Sequence, residues 1–210
     1  MNATRAKLMA AAVAVLRDEG MAGLSARTVA ARAGVNQALV FYHFTTLNGL
    51  VDEACRQTVD DSVEFYRTRF AAVDSLVELL HAGRELHERE RAAGNVALMA
   101  QLLSGAQRDD VLGDAARYAM ATWNREIEVV VRRVLATSPL VGIADPAGLA
   151  RAVSASFLGL ELYEGVDREG ALAALDALEQ LGVLVEVVDD LGPVASRALR
   201  ARMRRTRRGR

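Results

Sequence analysis

The sequence predicts an all-α protein with an N-terminal three-helix, helix-turn-helix head on a larger helical body. Three observations carry that prediction. Proline occurs only three times in 210 residues, and few stretches alternate with period two. Hydrophobic content of 51% with 25% charged residues is that of a folded globular chain. Residues 24–44 place two short helical segments on either side of a glycine turn.

The first helix is expected over about residues 3–19, ending at Gly20. Its nine apolar residues Leu8 to Leu16 follow Arg5 and Lys7, which superficially resembles an export signal. The small residues lie inside that run and Arg17-Asp18-Glu19 follow at once, so a buried helix is the better reading. Ser25 is suited to cap the second helix, because its hydroxyl can accept from an unpaired N–H in the first turn. Val29, Ala30 and Ala33 then share one face. Gly34 supplies the left-handed residue that stops this helix, and Asn36 can cap a third that runs through Phe44. On that third helix, Val35, Leu39 or Val40, and Phe44 can point inward. Asn36, Gln37, Phe41, Tyr42 and His43 are left outside. Asn and Gln can read base edges, Tyr and His can bond phosphates, and Phe can touch a thymine methyl. With Arg27, Thr28 and Ala38 they form the candidate DNA-binding surface.

Flanking residues sharpen the pattern. Leu8-Met9, Ala11-Ala12 and Val15-Leu16 precede Gly20, and Thr45-Thr46-Leu47-Asn48-Gly49-Leu50 opens a long helix. Residues 5–51 together resemble the N-terminal domain of the TetR family of bacterial transcriptional regulators. Ala33-Gly34-Val35 and Tyr42-His43-Phe44 are the most specific parts of the match. The resemblance implies a homodimeric, ligand-responsive regulator, most often a repressor, that binds a palindromic operator on double-stranded DNA. One departure stands out: the family often has a phosphate-contacting Lys where this chain has Leu47.

Charge is distributed unevenly. Residues 1–50 carry five Lys/Arg against two Asp/Glu, and residues 51–196 carry 13 against 25. Residues 197–210 add eight Arg and no acid. A positive head on an acidic body suits a protein that offers one end to a polyanion. The division expected is a DNA-binding domain over 1–46, an effector-binding and dimerisation domain over 47–193, and an Arg-rich, disordered tail over 194–210. One cysteine, Cys55, excludes an intrachain disulfide and fits a reducing cytoplasm. No apolar run approaches the length of a membrane span.

The body reads as a series of helices. One runs to about Phe70 with Val51, Cys55, Val59, Val63, Tyr66 and Phe70 on its stripe. Others are expected over about 74–91, from Asn95 as a cap, over 114–137, from Asp145-Pro146 to 165, and over 168–190. The helix after Asn95 is apolar on all sides save Gln101, which points to burial. Met99, Gln101, Leu103, Met120, Trp123, Phe157 and Glu161 are candidates to line an effector site for a small, largely apolar ligand, as the resemblance implies. Ala152, Ala155, Ser156 and Gly159 permit close helix approach, and with Leu175 and Leu178 they are the candidate dimer interface. Relatives typically pair through their last two long helices.

Enzymatic chemistry finds no support. Metal-protease, redox, esterase and phosphate-loop signatures are absent from the sequence, and no cofactor or metal site is expected. The run His87-Glu88-Arg89-Glu90 reads as a solvated helix face, Glu161 and Glu164 as an acid pair without a partner signature, and Cys55 as core. The competing interpretation is a helical small-molecule-binding protein or enzyme whose head does not read DNA.

Overall fold

The computed structural model describes residues 2–107, 109–138, 140–142, 144–189, 192, 194–195, 197–198 and 201–202. Among these, nine long or short helices are bounded and no strand occurs. They are α1 (Ala3–Gly23), α2 (Ala26–Ala33), α3 (Ala38–Phe44), α4 (Leu47–Ala71), α5 (Leu76–Ala92), α6 (Asn95–Gly105), α7 (Asp110–Thr137), α8 (Pro146–Glu164) and α9 (Arg168–Asp189). Most of the arginine-rich tail, including 203–210, lies outside the described residues, and with it the expectation of disorder.

Local chemistry sets most helix ends. The Asn2 side chain accepts from Thr4 N–H at 2.9 Å to start α1. Gly20 breaks that helix as expected, with φ 66° and ψ −168°, but one more helical turn follows to Gly23. Asp145 caps α8 through Ala147 N–H at 3.1 Å, with Pro146 in the first turn. α7 begins four residues earlier than expected, because Asp109 accepts from Leu112 N–H at 3.1 Å. Asn95 is not a cap. Gly94, at φ 76°, takes the cap position, and the Asn95 amide instead donates to Glu90 at 2.5 Å and accepts from Arg17.

Contacts divide the chain into two compact units. The first comprises residues 1–64 and 89–122. Its core holds Leu8, Val15 and Leu16 of α1, Val29 of α2, Val40 of α3, Leu50, Val51 and Cys55 of α4, Leu98 and Leu102 of α6, and Leu112 of α7. Complete burial of one such leucine stabilises the fold by roughly 1.5–3 kcal/mol. Burial also pushes the Cys55 thiol up to about 12, aided by Asp52, so it is a core side chain and no nucleophile at neutral pH. α6 is less buried than its composition suggests: Leu98 and Leu102 face inward, while Ala97 is exposed and its other apolar residues are half-buried.

The second unit comprises residues 65–88 and 123–210. Tyr66, Phe70 and Trp123 pack as an aromatic cluster with ring centroids 6.1–6.3 Å apart. Val73, Leu79, Ile127, Val130, Val131, Leu135 and Ala150 complete its core. The guanidinium of Arg133 donates at 2.6 Å to the carbonyl of Phe70, in the last turn of α4, and to that of Val73 just beyond it. No helix among the described residues is long and apolar enough to cross a membrane.

Candidate nucleic-acid interface

The head's geometry begins with α2. Ser25 Oγ accepts from Thr28 N–H at 3.0 Å and shares a hydrogen bond with Thr28 Oγ1 at 2.6 Å. Such a cap contributes about 1 kcal/mol. At the other end Gly34 is left-handed, with φ 68° and ψ 35°. Its N–H reaches Ala31 O at 3.2 Å, and Val35 N–H reaches Ala30 O at 3.0 Å, which satisfies the terminal carbonyls. Arg32 in the last turn bridges Asp18 at 2.6 Å and Glu19 at 2.8 Å, tying α2 to the end of α1.

The turn into α3 is closed by Asn36, whose Oδ1 accepts from Ala38 N–H at 2.8 Å. The helix itself starts at Ala38, with Gln37 in the cap position and making no side-chain cap bond. Val40 and Phe44 are its fully buried anchors, and Val35 and Leu39 pack against the same core. Arg5 lies over the Phe44 ring, 4.7 Å from its centroid, and pairs with Glu53. Thr45, at φ 60°, ends α3, and Thr46 Oγ1 caps α4 by accepting from Gly49 N–H at 2.9 Å.

These anchors leave a polar and aromatic face on the outside. Asn36, Gln37 and Ala38 are exposed, Phe41 is 49% exposed and Tyr42 79%. His43 is half-buried, edge-on to Tyr42 at 4.9 Å between centroids. An aromatic that open gains nothing for the fold and is available to a partner. On α2, Arg27 is exposed and Thr28 is half-buried. Among the described residues of the head, Arg5, Arg17 and Arg32 are engaged by protein groups, whereas Lys7 and Arg27 stand in solvent. Leu47 is half-buried against the core of the first unit, at the first residue of α4.

The remaining candidates fall within one unit or the other. Met99, Leu103 and Met120 are half-buried in the first, and Gln101 lies with its amide nitrogen 3.3 Å from where a Cβ on Gly20 would sit. In the second, Trp123 belongs to the aromatic cluster, and Phe157 occupies the space a side chain on Gly83 would need. Glu161 lies beside His87, Nδ1 to Oε1 3.6 Å. Here the reading of 87–90 as a solvated face is corrected: His87 and Glu90 are buried, while Glu88 and Arg89 are exposed. The spacing Leu79, Gly83, His87, Glu90 is a helical stripe, and that was the overlooked signal. Glu90 accepts from Ser62 Oγ at 3.0 and 3.1 Å.

On the second unit, α8 and α9 bound an open apolar groove of about 540 Å³. It is lined by Ser156, Gly159, Leu160 and Tyr163 on one side and Ala174, Ala177, Leu178 and Leu181 on the other. Ala152 and Ala155 are exposed, a Cβ on Gly159 would touch nothing within 4 Å, and Leu175 is buried within the protomer.

Residues 8–54 match the family model for bacterial regulatory proteins of the tetR family. Solved structures share the fold over most of the chain. One is a TetR-family transcriptional regulator from Rhodococcus sp., 24% identical, with TM-score 0.73 over 88% of this chain and 99% of that one. Another is a transcriptional regulator from Streptomyces coelicolor A3(2), 26% identical, with TM-score 0.66 over 86% and 99%. A third is the multidrug binding protein EbrR complexed with imidazole, 27% identical, with TM-score 0.60 over 85% and 96%. No curated protein matches the chain.

Proposed function

We propose that this chain, a TetR-family regulator by its residues 8–54 and by its fold, is a repressor that binds a palindromic operator as a homodimer and leaves it when a small-molecule effector binds the body. The observation that carries the reading is the outward face of α3. Asn36, Gln37, Phe41 and Tyr42 are exposed while Val40 and Phe44 fix the helix beneath them. A helix so anchored can enter the major groove without reordering. Lys7 and Arg27 would add phosphate contacts that position but do not specify.

Two further elements support the assembly. The α8–α9 groove is apolar and open, and Leu181, Leu184 and Val187 are 56–60% exposed along α9. A second copy of the same face, brought in by a two-fold axis, would cover it and present two heads to inverted half-sites. The effector reading leans on Met99, Gln101, Leu103, Met120, Trp123, Phe157 and Glu161, and on the likeness to a multidrug binding protein.

The test is a binding measurement against genomic DNA fragments at stated salt, followed by footprinting. A short inverted repeat protected by two protomers is expected. Equal affinity for the selected site and a scrambled duplex would favour a head that does not read sequence.

A further inference from the structure

We propose that α5 and α8 are clamped by a proton: His87, as an imidazolium, holds Glu161 and Glu164 together, and its deprotonation loosens the second unit. This inference stands apart from the DNA-binding reading, since every group in it lies within that unit.

The geometry suits a charged ring, with a carboxylate oxygen facing each nitrogen. His87 is 8% exposed, with Nε2 at 2.5 Å from Glu164 Oε2 and Nδ1 at 3.6 Å from Glu161 Oε1. A neutral imidazole carries one N–H, so one of its nitrogens would turn a lone pair toward a carboxylate. An imidazolium donates from both. Glu164 is the closer hold, because 3.6 Å lies outside hydrogen-bond range. Glu161 and Glu164 are three apart on α8 and so share its face. One turn earlier on both helices, the Phe157 ring covers Gly83, where a Cβ would collide with it. The clamp and that close contact form one seam.

Arg168 at the start of α9 reaches Glu164 at 3.3 Å. Arg84, one turn before His87 on α5, is taken by Glu179 at 2.8 Å and Asp176 at 2.6 Å of α9. Removing the proton takes the positive charge away from two half-buried carboxylates, and partial burial makes that loss costlier than it would be in open solvent.

The direction of titration agrees. Glu161 foremost, opposed by burial and joined by Glu164, raises the His87 pKa above its ordinary 6.5. A folded pKa above the unfolded one means the stabilisation is complete below about pH 6.5 and is lost as pH rises through the folded value. The pH-sensitive side is therefore the alkaline one.

The chain has three histidines, His43, His81 and His87, and His87→Gln assigns the His87 ring resonances. Ring resonances of the full chain would be titrated by NMR, and thermal unfolding followed from about pH 6 to 9. The His87 midpoint is expected above the ordinary value of about 6.5, with a melting temperature that falls across that midpoint more steeply than in His87→Gln. Glu161→Gln and Glu164→Gln should each lower the midpoint. A His87 midpoint at or below about 6.5, or parallel melting profiles for parent and His87→Gln, would overturn the clamp. Should His87→Gln fail to fold, the two glutamine variants decide it: a midpoint unmoved in both refutes the proposal.

Discussion

Gly34 shows how little of a residue's role need involve contact. It is left-handed at φ 68°, yet a Cβ added to it would meet nothing within 4 Å. Gly34→Ala should therefore cost only the backbone term, about 1–2 kcal/mol, read as a lower denaturant midpoint with unchanged slope. Gln37 is the opposite case, exposed and idle in the fold. Gln37→Ala should leave stability unchanged but weaken operator binding by about 1–3 kcal/mol and relax preference at one position per half-site. Arg27→Ala should instead weaken operator and random DNA alike, reducing the salt slope by about one per protomer. A loss confined to the operator would mean that Arg27 meets a base. Leu47→Lys tests the departure from the family. Its stem can follow the core while the ammonium reaches out, so affinity for all DNA should rise with a steeper salt slope. The change should destabilise the head by up to about 1 kcal/mol, since a cation at a helix N-terminus opposes the dipole. Unchanged affinity for both duplexes would place position 47 away from the phosphates.

At the scale of elements, what was legible in the sequence was what neighbours decide. Ser25, Gly34, Asn36 and Asp145-Pro146 act within three residues of themselves, and the structure has each acting as a helix start or stop. Asn95 looked the same and is different, because Arg17, 78 positions away, takes its side-chain oxygen. His87 and Glu164 were missed for the same reason: they are 77 apart, and no local pattern announces a partner at that distance. The outer face of α3 was legible because an exposed aromatic beside buried ones breaks the core stripe. Half-buried apolar residues such as Met99 and Leu103 were less legible, since they read identically whether they line a cavity or fill one. The α8–α9 groove yields a direct test. Gly159→Arg puts a charged side chain into the middle of it without touching the protomer's own core. Light scattering should then report monomers, with a melting temperature lowered only by the loss of association. A dimer of parental stability would move the interface elsewhere.

For the whole molecule, the proposed regulation is a coupling between effector and operator. It should amount to about 1–3 kcal/mol and be reciprocal, so operator DNA must weaken effector binding by the same factor. Calorimetric titration of an effector found by thermal shift, with and without operator, measures both sides of that cycle. An effector whose affinity ignores DNA would end the regulatory reading.

The aromatic cluster has a practical corollary. Trp123 is the chain's single tryptophan, and it sits with Tyr66 and Phe70 in the second unit. Selective excitation of the indole therefore listens to that unit alone, whereas far-ultraviolet ellipticity sums every helix in the chain. The molecule thus carries its own two-channel thermometer. If the two traces superimpose during melting, the halves unfold as one cooperative system; if the indole trace departs from the ellipticity, they melt in sequence, and the order in which they go can be read without adding a label.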